Sequence, residues 1–321
     1  MKFMQDHSSG DTIRQRTLKN EIHCSGIGLH SGVKVNMTLY PGAPNSGIVF
    51  RRTGLPGGPI EIPATWQHAI ETPLCTTLVH GADGEKIATI EHLMSALLGC
   101  GIDNAEVELD GPEVPAMDGS AAPFVFLIEC AGVVKQNAPR QVIEILKEVD
   151  VSEPDRSASF RPGRDMSIDF EIDFDSPVVA RQTWSMHVDE SAYKRDIARA
   201  RTFGFLHEVD RMRSMGLARG GSLDNAIVIS GDQVLNSGGL RYENEFVRHK
   251  VLDLIGDLFL AGGPVIGVTR GFRAGHALTL RLLQTLFADR DAWQLRDMTV
   301  ADLPQGAGAA TLPARAVAAP L

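Results

Sequence analysis

The chain has 321 residues, a length for which about two domains is the usual expectation. Apolar residues make up 43% and charged residues 22%, close to the globular average, which excludes wholesale disorder. Forty acidic against thirty-one basic side chains give a formal charge of −9. That excludes a general nucleic-acid binder, whose affinity comes from a basic, phosphate-neutralising surface. An anionic small molecule held by a few local cations stays open.

Residues 1–13 read as a loose polar extension with no apolar signal core. Gly26-Ile27-Gly28-Leu29-His30-Ser31-Gly32 comes close to a dinucleotide fingerprint. Its third glycine falls one place late and strand-like alternation follows, so it reads as a turn between strands. In that alternation Val33, Val35, Met37 and Leu39 face one side, and Lys34, Asn36, Thr38 and Tyr40 the other. Residues 89–99 put Ile90, Leu93, Met94, Leu97 and Leu98 on one face at helical spacing. A Gly-bearing break and a strand over 105–109 follow. Residues 130–140 read as a linker, which separates a first domain, 14–134, from a second, 142–302, at about 135–141.

In the second half, 141–151 and 167–174 read as strands and 191–201 as a helix. Residues 245–260 read as a stronger helix, followed by glycines and an apolar strand over 264–269. The apolar stretch 258–268 is about half the length of a membrane-spanning helix, so no transmembrane segment is expected. Residues 303–321 read as a disordered Ala/Pro-rich tail. Helix, Gly-rich break and strand thus occur once in each half, and Asp103-Asn104-Ala105 echoes Asp224-Asn225-Ala226. The pattern suits two similar α+β domains. Cys24, Cys75, Cys100 and Cys130 show no CxxC pairing, which fits a cytosolic protein with reduced thiols.

There is no P-loop, GxSxG, HExxH or HxxEH motif. Glu91 and His92 open the first helix, where an acid is also favoured simply by the helix dipole. His249 and Asp253 stand four residues apart on the second helix and share a face, a spacing that also makes ordinary surface hydrogen bonds. Taken together, His92, His249 and Asp253 make a two-His, one-carboxylate set that suits a catalytic zinc with an open position for water. Glu91, beside a ligand but pointing elsewhere, is then placed to act on that water. Asp257 lies one turn beyond Asp253, and a carboxylate near His276 would favour a protonated ring that donates to an oxyanion.

Several segments together resemble one family. They are QRTLKNEIHCSGIGLHSG, IEHLMSALLGCGIDNAEVELDGPEVPAMDGSAAPF, ARARTFGF, and RYENEFVRHKVLDLIGDLFLAG followed by RAGH. The family is the bacterial zinc-dependent UDP-3-O-acyl-N-acetylglucosamine deacetylase of lipid A biosynthesis, and the resemblance runs from about residue 14 to 302. It implies two α+β domains, each a sheet layered on two helices, with the active site between them. It also implies a bacterial cytoplasmic enzyme that carries one Zn2+ per chain, acts as a monomer on a UDP-acyl-sugar and binds no nucleic acid.

Residue by residue, the resemblance makes His92, His249 and Asp253 the metal ligands, Glu91 the general base and His276 the stabiliser and acid oriented by Asp257. Thr202 matches an oxyanion donor, with Phe203 beside it at the substrate. Lys250, Lys147, Phe174 and Arg273 fall where the family contacts the UDP part, and Cys75 matches a cysteine near the metal that is not an essential ligand. The departures are the N-terminal extension, a one-residue insertion near 81–86 and the tail.

Between Thr202 and Ser230, Phe205, Leu206, Val209, Met212, Met215 and Leu217 precede an apolar strand over 226–229. These residues read either as core of the second domain or, by the resemblance, as a hydrophobic passage for a fatty chain. Other functions stay open from the residues: a zinc amidohydrolase acting on a different N-acetyl sugar, a non-catalytic metal scaffold, or a nucleotide-binding regulator.

Overall fold

The computed structural model describes residues 12–304 apart from 73 and 83. Most of the expected N-terminal extension and nearly all of the expected tail lie outside the described residues. Thr12 and Ile13, read as part of the extension, are held in place: Thr12 bridges Thr299, and Ile13 N–H donates to the Met298 carbonyl at 2.8 Å.

In the first half, five strands form one sheet in the order Ile22–Ile27, Lys34–Pro41, Ala105–Leu109, Ile48–Arg52, Ile60–Pro63. Lys34–Pro41 buries Val35, Met37 and Leu39, as its alternation demands, while Val33 stays exposed in the turn before it. That turn is the glycine-rich segment read between two strands. Helix α1 (Glu91–Gly99) is buried on every side, which a single apolar stripe does not foretell. Helix α2 (Ala122–Ala131) buries Phe124, Val125, Ile128 and Ala131.

In the second half a seven-stranded mixed sheet is organised around Val265–Phe272, which pairs with Gln141–Ile145, Met166–Asp173 and Arg156–Arg161. Gln141–Ile145 pairs with its first residues, Val265 and Ile266, and Arg156–Arg161 with Val268–Phe272. The change of partner falls at Gly267, whose φ is +154° and where a Cβ would lie 2.7 Å from the Arg161 carbonyl. Glycine alone fits that approach. The single strand expected over 141–151 is therefore two, Gln141–Ile145 and Val149–Glu153.

Two further readings differ from the structure. The linker segment contains a strand, Val133–Pro139, paired antiparallel with Arg14–Leu18. Its partner is at the other end of the first half, where local composition gives no sign of it. The helix expected over 191–201 is a three-residue piece, α3 (Glu190–Ala192), capped by Asp189, followed by a wider π turn over Tyr193–Ile197. That turn seats Tyr193 fully buried against α1, its hydroxyl donating to Ser95 Oγ at 3.0 Å.

Helix α4 (Leu206–Ser214) sits beside a small three-stranded sheet of Phe203–Phe205, Ile227–Ser230 and Gln233–Val234. Helices α5 (Glu245–Leu258) and α6 (His276–Ala288) pack against the seven-stranded sheet and each other, and α5 also packs along α1. The architecture is α+β. Among the described residues no helix is long and apolar enough to cross a membrane.

Candidate metal centre and active site

Helices α1 and α5 meet at Gly256, where a Cβ would stand 2.0 Å from the Glu91 carbonyl oxygen. Only glycine lets the two backbones come so close. This contact brings His92, from the first turn of α1, against His249 and Asp253, one turn apart on α5. Asp253 Oδ1 lies 3.5 Å from His92 Nε2 and 3.3 Å from His249 Nε2, and the two rings meet edge to face. These separations match the ~3.4 Å edge of a tetrahedron built on metal–ligand bonds of about 2.0–2.1 Å.

Among the described residues, these three side chains form the one cluster of His, Cys, Asp or Glu spaced to hold a metal ion. All three are buried. Asp253 Oδ2 accepts from Lys250 Nζ at 2.7 Å, but the buried Oδ1 has no hydrogen-bond partner. An orphaned carboxylate oxygen between two imidazoles is costly unless a cation fills the gap. His249 Nδ1 donates to the Ala200 carbonyl at 3.1 Å, turning Nε2 towards the cluster. Burial pushes the His249 pKa down to about 3, so the ring is neutral and its Nε2 lone pair is free to bind metal.

Around this cluster stand an acid and a base. Glu91 Oε2 accepts from Thr76 N–H at 3.0 Å, and Oε1 lies 4.0 Å from His276 Nε2. Burial raises the Glu91 carboxyl to about 7, against the opposing pull of His276. His276 Nδ1 donates to Asp257 Oδ2 at 2.8 Å, while Nε2 lies 4.0 Å from Asp253 Oδ2. Burial disfavours the charged ring, yet Asp257, with Glu91 and Asp253, more than offsets this and raises His276 to about 10. A neutral-pH base thus stands beside a charged donor.

Both groups open into a cavity of about 900 Å³ whose wall also carries Thr202, Phe203, Phe174 and Lys250. Thr202 is fixed through its backbone, N–H to the Gly119 carbonyl and C=O from Ile227 N–H, each 2.8 Å. Phe174 meets Phe203 edge to face at 5.6 Å between centroids, and Phe203 stands 6.3 Å from His249. Beyond them Phe205, Leu206, Val209, Met212, Ala226 and Val228 continue the wall as an apolar surface. α4 buries none of its residues in the core. The core reading of this segment therefore holds for Ile227 and Ile229, and the cavity takes Val228 between them.

The structure does not bring Lys147 or Arg273 to the cavity wall. Lys147 is half exposed and pairs with Asp289 at 2.7 Å; Arg273 points towards Asp155 at 3.6 Å. Among the described residues, the wall carries Arg156, Arg213 and Arg281 besides Lys250 and the charged His276. Arg156 sits at the tip of the hairpin Val149–Glu153/Arg156–Arg161, and no motif marks that position in the sequence. Cys75 is a buried free thiol 3.6 Å from Thr77 Oγ1, outside the three-residue cluster. Thr76 was not anticipated either, although it touches Glu91, Asp257 and His276.

The sequence matches the family LpxC, UDP-3-O-acyl N-acetylglycosamine deacetylase, over residues 15–288. It is 54% identical over 288 residues to a UDP-3-O-acyl-N-acetylglucosamine deacetylase of Acidithiobacillus ferrooxidans, covering 89% of this chain and 93% of that one. It is 52% identical over 285 residues to the protein of the same name from Pseudomonas entomophila, covering 88% and 93% of the two chains. The matched span holds the candidate metal cluster together with Glu91, Asp257 and His276, and the chain belongs to the UDP-3-O-acyl N-acetylglycosamine deacetylase family.

Proposed function

We propose that the protein removes the 2-N-acetyl group from UDP-3-O-acyl-N-acetylglucosamine, giving UDP-3-O-acyl-glucosamine and acetate, the committed step of lipid A biosynthesis. One observation carries this reading: a single cavity joins the His92–His249–Asp253 cluster and Glu91 to a long apolar wall. An amide hydrolase for a small sugar needs the first and has no use for the second. In this reading the metal is zinc, one per chain, held by His92, His249 and Asp253. The acting unit is a monomer in the bacterial cytoplasm.

Bound zinc supplies a water of lowered pKa and polarises an amide carbonyl. Glu91 takes the proton of the attacking water through Oε1, the oxygen that Thr76 leaves free. His276 Nε2–H and the Thr202 hydroxyl donate to the oxyanion, and each such donor is worth roughly 3–4 kcal/mol. The proton for the leaving amine comes from the Glu91–His276 pair. Lys250 and Arg156 meet the diphosphate, with Phe174 and Phe203 beside the sugar; Lys147 and Arg273 stand further out. In this reading the chain forms two α+β domains, about 14–134 and 142–302. α1 and α2 belong to the first, α5 and α6 to the second, and the site lies between them.

Each methylene buried along the apolar wall contributes about 0.8 kcal/mol. Part of that energy positions the amide over the metal, so losing the chain costs kcat as well as KM. The test compares the acylated sugar with UDP-N-acetylglucosamine. The unacylated sugar is expected to lose at least several hundred-fold in kcat/KM, about 3.5 kcal/mol or more. Comparable turnover of the two would replace this reading with a general N-acetyl-sugar deacetylase.

A further inference from the structure

Thr76 is buried and belongs to no motif, yet it joins the base to the acid. Its N–H donates to Glu91 Oε2 at 3.0 Å, and its carbonyl accepts from Ile90 N–H at 3.3 Å. Backbone thus ties it to the start of α1. Its hydroxyl donates to Asp257 Oδ1 and lies 3.1 Å from His276 Nδ1. A carboxylate oxygen only accepts, so the hydroxyl proton is committed to Asp257. Asp257 Oδ2 accepts from His276 Nδ1 at 2.8 Å, so each Asp257 oxygen has its own donor and the carboxylate plane is fixed. The ring of His276 then has one orientation, with Nε2 4.0 Å from Glu91 Oε1. Thr76 comes from the first half of the chain, whereas Asp257 and His276 come from α5 and α6.

We propose that Thr76 is a positioning residue for the deacetylation: its backbone sets Glu91 and its hydroxyl sets the Asp257–His276 pair, so that both face one amide. This rests on the deacetylase reading above. A hydroxyl that served packing alone would be replaceable by a methyl group of the same shape. A hydroxyl that aims Asp257 is not.

Thr76→Val removes the hydroxyl at nearly constant shape and leaves the backbone bond to Glu91 in place, whereas Thr76→Ser keeps the hydroxyl. The measurement is steady-state acetate release by the zinc-loaded full-length enzyme on UDP-3-O-acyl-N-acetylglucosamine, with zinc content determined on the same samples. Thr76→Val is expected to lose about 10- to 100-fold in kcat, the range for partners that orient a site's inner groups, with KM and zinc content little changed. Thr76→Ser recovers most of kcat. Thr76→Ala, which strains the loop less, shows the same loss as Thr76→Val. In a His276→Ala background Thr76→Val costs nothing further, because the hydroxyl acts through that ring. Wild-type kcat in Thr76→Val overturns the proposal. So does Thr76→Ser as slow as Thr76→Val, or a rate loss matched by loss of zinc. Failure of the deacetylase reading shows separately, as a wild-type enzyme that releases no acetate.

Discussion

Asp253 Oδ1, buried between two imidazole nitrogens without a hydrogen-bond partner, makes the metal cluster a matter of single atoms. His92→Ala, His249→Ala and Asp253→Ala are each expected to lose zinc, read by elemental analysis of the purified variants; full occupancy in all three contradicts the assignment. Glu91→Ala and His276→Ala leave the ligands in place. They should keep zinc and lose roughly two to four orders of magnitude in rate, the usual scale for general acid–base groups. Because one group acts deprotonated and the other protonated, kcat/KM should be bell-shaped in pH, with limbs that belong to the coupled pair. At this scale the sequence was legible where chemistry follows a helical offset: His249, Asp253 and Asp257 share one face of one helix. It was illegible where a side chain reaches the site from a loop or hairpin tip at no fixed spacing, as Thr76 and Arg156 do. Lys147, placed by resemblance, pairs with Asp289 away from the cavity, since motif correspondence does not say where a flexible amine points.

The α1–α5 contact holds the ligand helices together, and Gly256 is its closest point. Gly256→Ala must push the helices apart. It is expected to lower stability by about 1–3 kcal/mol, the usual cost of overpacking, and to weaken zinc binding with it. Denaturant midpoints and metal analysis check both; a variant as stable as wild type with full zinc would show that the helices have room to spare. At the sheet's edge, Arg296 joins strand Trp293–Asp297 to Gln141–Ile145 through Glu144 at 2.9 Å, and to the Val300–Asp302 turn through Asp302 at 2.6 Å. The Arg296 hydrogen bond holds Glu144 below the usual carboxylate range; Asp302 is also held low, by Arg296 against the opposing effect of burial. Depressed carboxyls stabilise the fold above their unfolded pKa values of about 4, and the contribution is lost as pH falls through the lower folded values. Melting temperature should therefore drop less on acidification in Arg296→Met than in wild type; equal drops would contradict the clamp. Elements were readable where periodicity is local, as in Lys34–Pro41. The strand Val133–Pro139 was hidden because its pairing partner is distant in sequence, and the π turn at Tyr193 because a buried ring, not the helical period, decides it.

Over the whole molecule the order of strands and helices announced an α+β chain, and the recurrence of helix, glycine and strand suggested two halves. Neither feature states that α1 and α5 meet. That meeting needs a glycine on one helix facing the carbonyl of another some 165 residues earlier, a relation with no local signature. The same contact makes the proposed catalysis a claim about both halves at once: in that reading His92 and Glu91 come from the first half, and His249, Asp253 and His276 from the second. The most direct measurement is a titration of the metal-free protein with zinc, following acetate release from UDP-3-O-acyl-N-acetylglucosamine. Activity is predicted to rise from near zero and reach its maximum at one zinc per chain. Full activity of the metal-free protein, or none at any zinc content, would contradict the account.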